Sequence, residues 1–239
     1  MVLDYTNSIP LYIQLKVKIE EKILEGVYTG KIPSERELMD EYYVSRSTVR
    51  QAIDALTREG TLDKKPGRGT FVALKPINDW LGSLSSTSET IQRIGMKPGA
   101  KLVKAETVQL PKHLQTLTGL TEGVHIKRIR YADHIPIGVE NNYYPIELGE
   151  EIMTYDLNKK SLYDLLEQEL GVRSIEADQI IKSERINKED AKLLNVSSSM
   201  SMLIAERILV DFNGEFVEYE RAAYRSDMYS FKIKLSRKK

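Results

Sequence analysis

Arg46 and Arg50 stand four residues apart in the segment SRSTVRQAIDAL, a spacing that stacks two guanidinium groups on one face of a helix. Ser45, Ser47, Thr48 and Gln51 lie beside them near the start of that helix. Free N–H groups at a helix start, flanked by arginines and hydroxyls, suit phosphates and guanine edges in a major groove. Nothing in an apolar core requires such a set. Much further along, Arg128 and Arg130 are two apart and therefore share one face of a strand with apolar Val124 and Ile126. A guanidinium pair on an apolar face needs anions. Glu140 on the following strand can be one partner and a bound phosphate or carboxylate the other, since arginine forks match such oxyanions bidentately. On spacing alone, a plain cross-strand Arg–Glu salt bridge is the simpler explanation.

The first cluster must be held by short helices. Asn7 or Ser8 is placed to cap a helix with Pro10 in its first turn, and Leu11, Leu15, Ile19 and Ile23 then recur every four residues until Gly26. Ser34-x-x-Glu37 is a capping box that opens a second helix, with Leu38 and Tyr42 facing inward. After a break at Tyr43 and Val44, Ser45 caps a third helix with an apolar seam of Val49, Ile53 and Leu56, closed by Gly60. Two short strands follow, Thr61 to Asp63 and Thr70 to Val72. The tip between them, KKPGRG, is basic and rich in glycine, so it can approach a minor groove or phosphates closely.

Charge supports this placement. Lys+Arg and Asp+Glu are both 35, yet residues 44–75 carry seven basic groups against three acidic ones, while residues 1–43 are acidic. A local basic stretch in a neutral protein fits a surface that faces a polyanion. Composition is globular, with 41% hydrophobic and 29% charged residues in a chain of 239. The longest apolar runs, 129–139 and 200–210, are interrupted by Arg130, Asp133, Glu206 and Arg207, so no membrane span is expected. The N-terminal residues MVLDYTNSIP lack a basic and then apolar leader, which places the expected location in the cytoplasm. With no cysteine and only His113, His125 and His134, without ligand spacing, neither a metal site nor a cofactor is expected.

Residues 73–83 show neither helical nor alternating periodicity and contain Pro76, Asn78, Asp79, Trp80 and Gly82; they read as a linker, with the domain break near Lys75. Beyond it, an extended run (102–110), a helix (112–118) and two alternating runs (124–132 and 135–144, around Asp133-His134) are followed by a second set of the same order at 173–186, 188–195, 200–211 and 215–224. The hairpin of the second set turns at Asn213-Gly214. A helix over 161–170 separates the two. The repetition predicts an α+β domain in which helices pack on an antiparallel sheet.

The segment KIPSERELMDEYYVSRSTVRQAIDALTREGTLDKKPGRGTFV resembles, nearly throughout, the winged helix-turn-helix DNA-binding domain of GntR-type bacterial transcription regulators. The resemblance implies DNA contacts from Ser34, Arg36, Ser45, Arg46, Thr48, Arg50 and Gly67, with Arg68 and Thr70 as additions. The remainder is similar to the UTRA effector-binding domain, chorismate-lyase-like in fold, of the HutC subfamily, through LSSTSETIQRIGMKPGAKL, IKRIRYADHIPIGVENNYYP, SLYDLLEQELGV and EYERAAYRSDMYSFKI. The implied domains are 1–72 for DNA binding, 73–83 for the linker and 84–239 for effector binding and dimerisation. The implied effector cleft comprises Ser86, Ser88, Arg128, Arg130, Glu140, Ser161, Tyr163, Glu218 and Tyr224. The residues agree with such a site, because Ser86 to Glu89 would open a helix containing Ile91 and Ile94 whose free N–H groups face the arginines. Thr87 departs from the resemblance, standing where relatives commonly carry an aromatic residue.

These features point to a homodimeric regulator, a repressor of a carbohydrate or amino-sugar operon that a phosphorylated sugar releases from palindromic operator DNA. A stretch from Ala73 to Gly82 would be its hinge. Two alternatives stay open: an effector that is a non-sugar anionic metabolite, and a DNA-binding protein with no effector, in which Arg128 and Arg130 merely pair with Glu140 and Glu218. An enzyme of chorismate-lyase type is not expected, since no nucleophile–base arrangement or phosphate loop is present.

Overall fold

In a computed structural model, the described residues are 3–25, 27–28, 30–73, 76–172 and 174–237. They form two compact units whose main division falls between residues 75 and 76.

The first unit begins with α1 (Leu11–Leu24), which buries Leu15, Ile19 and Ile23. Its start differs from the expected one. Pro10 is itself the N-cap, with no side-chain cap, while the Asn7 side chain accepts from the Ile9 N–H at 3.0 Å in the preceding turn. The Pro10 carbonyl accepts from the Ile13 and Gln14 N–H groups at 2.9 and 3.2 Å, which closes the first turn without a side-chain cap. Gly26, the expected helix stop, lies outside the described residues. In α2 (Glu35–Tyr42) the capping box forms as the sequence predicts: Glu37 N–H donates to Ser34 Oγ at 3.3 Å and Ser34 N–H donates to Glu37 Oε2 at 2.7 Å. The left-handed Tyr43 (φ 54) ends it. Ser45 then caps α3 (Arg46–Arg58), accepting from Thr48 N–H at 3.2 Å, and Val49, Ala52, Ile53, Ala55 and Leu56 bury one face. The hairpin of β1 (Leu62–Lys65) and β2 (Gly69–Val72) is antiparallel, and Ile32 N–H donates to the Thr70 carbonyl at 3.0 Å, so the chain just before α2 braces it.

The second unit opens with β3 (Ile77–Trp80) and α4 (Thr87–Arg93). The unit is then built from two strand-helix-strand-strand sets. The first is β4 (Pro98–Gln109), α5 (Lys112–Thr118), β5 (Glu122–Ala132) and β6 (Ile135–Tyr144). Between the sets lie α6 (Ile146–Met153) and a helical turn α7 (Leu162–Asp164) that runs on as a π-helical turn over Leu165–Glu169. The second set is β7 (Ser174–Arg185), α8 (Lys188–Leu193), β8 (Ser201–Asp211) and β9 (Phe216–Arg225), and β10 (Tyr229–Lys232) closes the chain. Arg173, where the second set was expected to begin, lies outside the described residues.

The six-stranded sheet has the order β4-β5-β6-β9-β8-β7, so the last strands of the two sets, β6 and β9, pair at its centre. One face carries α8 on Ile129, Val139, Ile204 and Ala223, and α5 on Leu110 and Tyr219. The other face carries Val124, Ile126, Tyr144 and Leu209 beneath Ile152 of α6 and Leu162, Leu165 and Leu166. The helix α6 has no counterpart in the expected elements. Its Gly149 explains both its position and its weak sequence signal, because a Cβ there would lie 2.3 Å from the Val124 Cβ. Only glycine lets this helix lie so close on β5.

The expectation of an irregular linker over 73–83 needs correction. Residues 77–80 are a strand paired in parallel with Tyr229–Lys232, and within it Ile77 and Asp79 are buried. Four residues are too few for alternation to show, and the partner strand lies some 150 residues away in sequence, so no local signal marks the pairing. Of the stretch expected to act as a hinge, Ala73 to Gly82, residues 77–80 are thus a paired strand, and Leu74 and Lys75 lie outside the described residues. No helix among the described residues is long and apolar enough to cross a membrane.

Candidate functional site

The start of α3 presents polar groups outward. The side chains of Arg46 and Arg50 are 72% and 62% exposed, and both face Glu35 of α2: Arg46 Nε donates to Glu35 Oε2 at 2.9 Å, while Arg50 Nε lies 4.0 Å from Oε1. Such exposed pairs are worth well under about 1 kcal/mol. They therefore align the guanidinium groups while leaving them free to exchange Glu35 for another anion. Ser45 Oγ lies within 2.8 Å of Ser47 Oγ and 2.9 Å of Thr48 Oγ1, which gathers three hydroxyls at the same helix end. Ser34 and Arg36 are exposed at the start of α2, Ser34 with its side chain engaged in the capping box. The tip of the hairpin, Pro66 to Arg68, is exposed, with Gly67 at φ +71, and Arg68 N–H donates to the Lys65 carbonyl at 2.9 Å. Thr70, paired with Lys64 one step in from the tip, is half-buried, as is Thr48. A bond from Lys64 to Asp54 ties β1 to α3.

The second site lies on the sheet face beneath α4 and α7. The alternation that buries Val124 and Ile126 continues to Arg128 and Arg130, whose side chains are almost wholly enclosed. Arg128 Nη2 and Arg130 Nη1 each donate to Glu140 Oε2 at 3.1 Å, and Arg130 Nη2 donates to Ser88 Oγ at 2.7 Å. Thr87 Oγ1 donates to Glu140 Oε1 at 2.8 Å. With its single proton so used, Thr87 accepts from the Tyr224 hydroxyl at 2.7 Å. Across the cleft, Glu218 Oε1 accepts from Asn142 Nδ2 at 2.9 Å and from the Tyr144 hydroxyl. Arg207 Nη1 donates to the Tyr163 hydroxyl at 2.9 Å and lies 3.6 Å from Glu220.

Ser86, Arg128, Arg130, Glu140, Ser161, Tyr163 and Glu218 thus line one cleft, with Ser88 joined through Arg130 and Tyr224 through Thr87. Two details depart from expectation. The Ser86 hydroxyl and the Glu89 amide are engaged in a capping box, so the start of α4 is not the open cradle its sequence suggests. The carboxylate that pairs with the arginines is Glu140 and not Glu218, which is held by Asn142 and Tyr144 instead. Sequence reasoning missed Asn142, Arg207 and Glu220. Each carries a signal: Asn142 and Glu220 lie two residues beyond Glu140 and Glu218, on the same strand faces, and Arg207 interrupts an apolar strand.

Electrostatics favour an anion here. Burial pushes Glu140 upward, but Arg130 and Arg128 outweigh it and hold the carboxyl below its ordinary range. Burial raises Glu218, and it pushes Glu220 up to about 8 against the opposing pull of Arg207. Of the three carboxyl groups, Glu140 is thus the one whose charged form the cleft favours, and Arg128, Arg130 and Arg207 surround it with three guanidinium groups. Arg128 Nε, Arg130 Nε, Asn142 Oδ1 and Glu218 Oε2 are buried without hydrogen-bond partners, a state that costs each group about 1–3 kcal/mol. The centre of the cleft has only about 10 Å³ of free space. At Arg130 and Ser161 it adjoins a cavity of about 380 Å³ that Ser88, Gln92, Lys97 and Lys160 also line.

Residues 11–72 match the family described as "Bacterial regulatory proteins, gntR family", and residues 93–230 match the UTRA domain. The chain belongs to the GntR family. As a GntR regulator of the HutC type, it is a DNA-binding transcription regulator with an α+β architecture, a winged helix followed by a UTRA domain. It is 30% identical over 236 residues to the HTH-type transcriptional repressor NagR of Bacillus subtilis, covering 97% of both chains. It is 29% identical to the mannosyl-D-glycerate transport/metabolism system repressor MngR of Escherichia coli, covering 96% of this chain and 97% of that one. In fold it is similar to the crystal structure of PhnF from Mycobacterium smegmatis, with a TM-score of 0.65, 24% identity and coverage of 94% and 100%. Ser86, Thr87 and Ser88 of this GntR regulator precede the matched UTRA segment, yet they contribute to its cleft.

Proposed function

We propose that this regulator represses an operon for the use of a sugar or amino sugar, and that a phosphorylated sugar bound in the arginine cleft releases it from DNA. The carrying observation is the pair Arg128 and Arg130, buried around a single ionised carboxylate, with both Nε atoms unpartnered. The phosphate would sit at Arg130 and Ser88, within the 380 Å³ cavity. Its hydroxyl- or amine-bearing remainder would reach toward Glu140, Glu218 and Tyr224, with Tyr163 and Ser161 at the wall. The name of the similar MngR, a repressor for a sugar glycoside system, supports the sugar class.

On the DNA side, Arg46, Arg50, Ser45 and Thr48 would enter the major groove, Ser34 and Arg36 would meet the backbone, and Gly67, Arg68 and Thr70 would bring the wing to the neighbouring groove. One winged helix reads only a few base pairs, so the protein would act as a homodimer on a palindromic site. A thermal-shift screen of wild type and Arg130→Ala against phosphorylated and free sugars tests the effector. At ligand concentrations about 100 times Kd, wild type gains about 2.7 kcal/mol of stability. A phosphosugar that stabilises wild type and not the variant is expected; equal response of both, or no response to any phosphosugar, overturns the assignment.

A further inference from the structure

A buried chain of contacts leads out of the cleft, from Tyr224 to groups that are not among the proposed effector contacts. The Tyr224 ring, whose hydroxyl reaches Thr87, stacks on Tyr229 with ring centres 4.0 Å apart and planes within 8°. The Tyr229 hydroxyl donates to Asp79 Oδ2 at 3.0 Å, and Thr90 Oγ1 donates to Asp79 Oδ1 at 3.1 Å. Asp79, only 7% exposed, is the third residue of β3. Among the described residues that strand pairs with β10 alone, outside the six-stranded sheet, and it is the first element of its unit.

We infer that Asp79 and Tyr229 are positioning residues that carry the state of the arginine cleft to β3, the strand through which the chain enters the effector-binding unit, and so set how strongly an effector weakens DNA binding. The inference rests on the effector reading proposed above. Thr87 and Thr90 are three residues apart on α4 and so share one of its faces. One bonds the cleft and the other bonds Asp79. Because α4 is barely two turns long, displacing Thr87 displaces Thr90 with it. A ligand that enters the centre of the cleft must move side chains, since only about 10 Å³ is free there. An apolar anchor for β3 would tolerate such a shift by sliding. A buried carboxylate held by two directional bonds does not, because hydrogen bonds weaken steeply with misalignment and a buried polar group left unpaired is costly.

The test uses the full chain and a duplex selected by the wild-type protein, with two readouts: duplex affinity, and emission of Trp80, the single tryptophan, which neighbours Asp79 on β3. In the absence of any effector, Thr87→Val is combined with Tyr229→Phe in a double-mutant cycle. Thr87→Val is expected to change both readouts alone, and to do so by about threefold less in duplex affinity when Tyr229 is already Phe. Additive effects overturn the inference. With glucosamine 6-phosphate and N-acetylglucosamine 6-phosphate as probes, Tyr229→Phe and Thr90→Val should bind the probe as wild type does by calorimetry. At saturation, they should lose about tenfold less DNA affinity than wild type. Equal loss in wild type and both variants also overturns it. If neither probe binds wild type, the effector reading is what fails, and the probe-free cycle still decides the relay.

Discussion

Glu220 makes stability depend on pH in a direction opposite to that of most surface carboxylates. Its folded value of about 8 lies above its ordinary 4.5 because burial disfavours its charge, so the folded protein holds a proton that the unfolded chain releases. The stabilising contribution is complete below the ordinary value and is lost as pH rises through 8. Melting temperature should therefore fall from about pH 5 to about pH 8, and Glu220→Gln should flatten that slope; an equal slope in the variant would exclude Glu220 as its source. At the surface proposed to face DNA, Arg46→Ala is expected to cost about 1–3 kcal/mol of specific binding if the side chain reads a base. A folded variant with unchanged operator affinity removes Arg46 from the contact set. Residues of this kind are legible in sequence when type and period agree. Arg128 and Arg130 stand out because two cations on an apolar strand face need an explanation, and Glu140 follows on the next strand. The unpaired state of Glu218 Oε2, and the transfer of Glu218 from the arginines to Asn142 and Tyr144, depend on cross-strand register and cannot be read from spacing.

Elements repeat that contrast. The helices α2 and α4 announce their starts because a capping box is a contact among four consecutive residues, Ser34 to Glu37 and Ser86 to Glu89. The strand β3 cannot announce itself, since it pairs with the distant β10. The helix α6 is hidden by the glycine that its packing demands. Gly149→Ala should destabilise the protein by about 1–3 kcal/mol through overpacking against Val124. Urea denaturation measures this, and a midpoint equal to that of wild type would mean that α6 shifts away from β5 without cost. Ser34→Ala should cost about 1 kcal/mol by removing the cap of α2. Loss of operator affinity well beyond that of a variant equally destabilised elsewhere would mark Ser34 as a DNA contact as well as a cap.

For the whole molecule, affinity for DNA depends on ion release as much as on shape. Log affinity should fall linearly with log salt, and Arg68→Ala in the wing should lower the magnitude of that slope by about 1 if Arg68 neutralises one phosphate. A slope unchanged from wild type would place Arg68 off the backbone. An effector of the proposed kind would release DNA only through a preference for the DNA-incompetent arrangement, and a hundredfold release would correspond to about 2.7 kcal/mol of that preference. Tight binding to both arrangements would release nothing.

Within the sheet the two strand-helix-strand-strand sets join at β6 and β9, and the charged cleft straddles that seam. Arg128, Arg130 and Glu140 come from the first set; Arg207, Glu218 and Glu220 come from the second. Neither set alone can enclose its own ionisable side chains, and each alone would expose a central strand as an open edge. The duplication therefore does not yield two independent folding modules. The sheet should form and melt in a single cooperative step, and a polypeptide cut between the sets should regain its structure only when both fragments are present together.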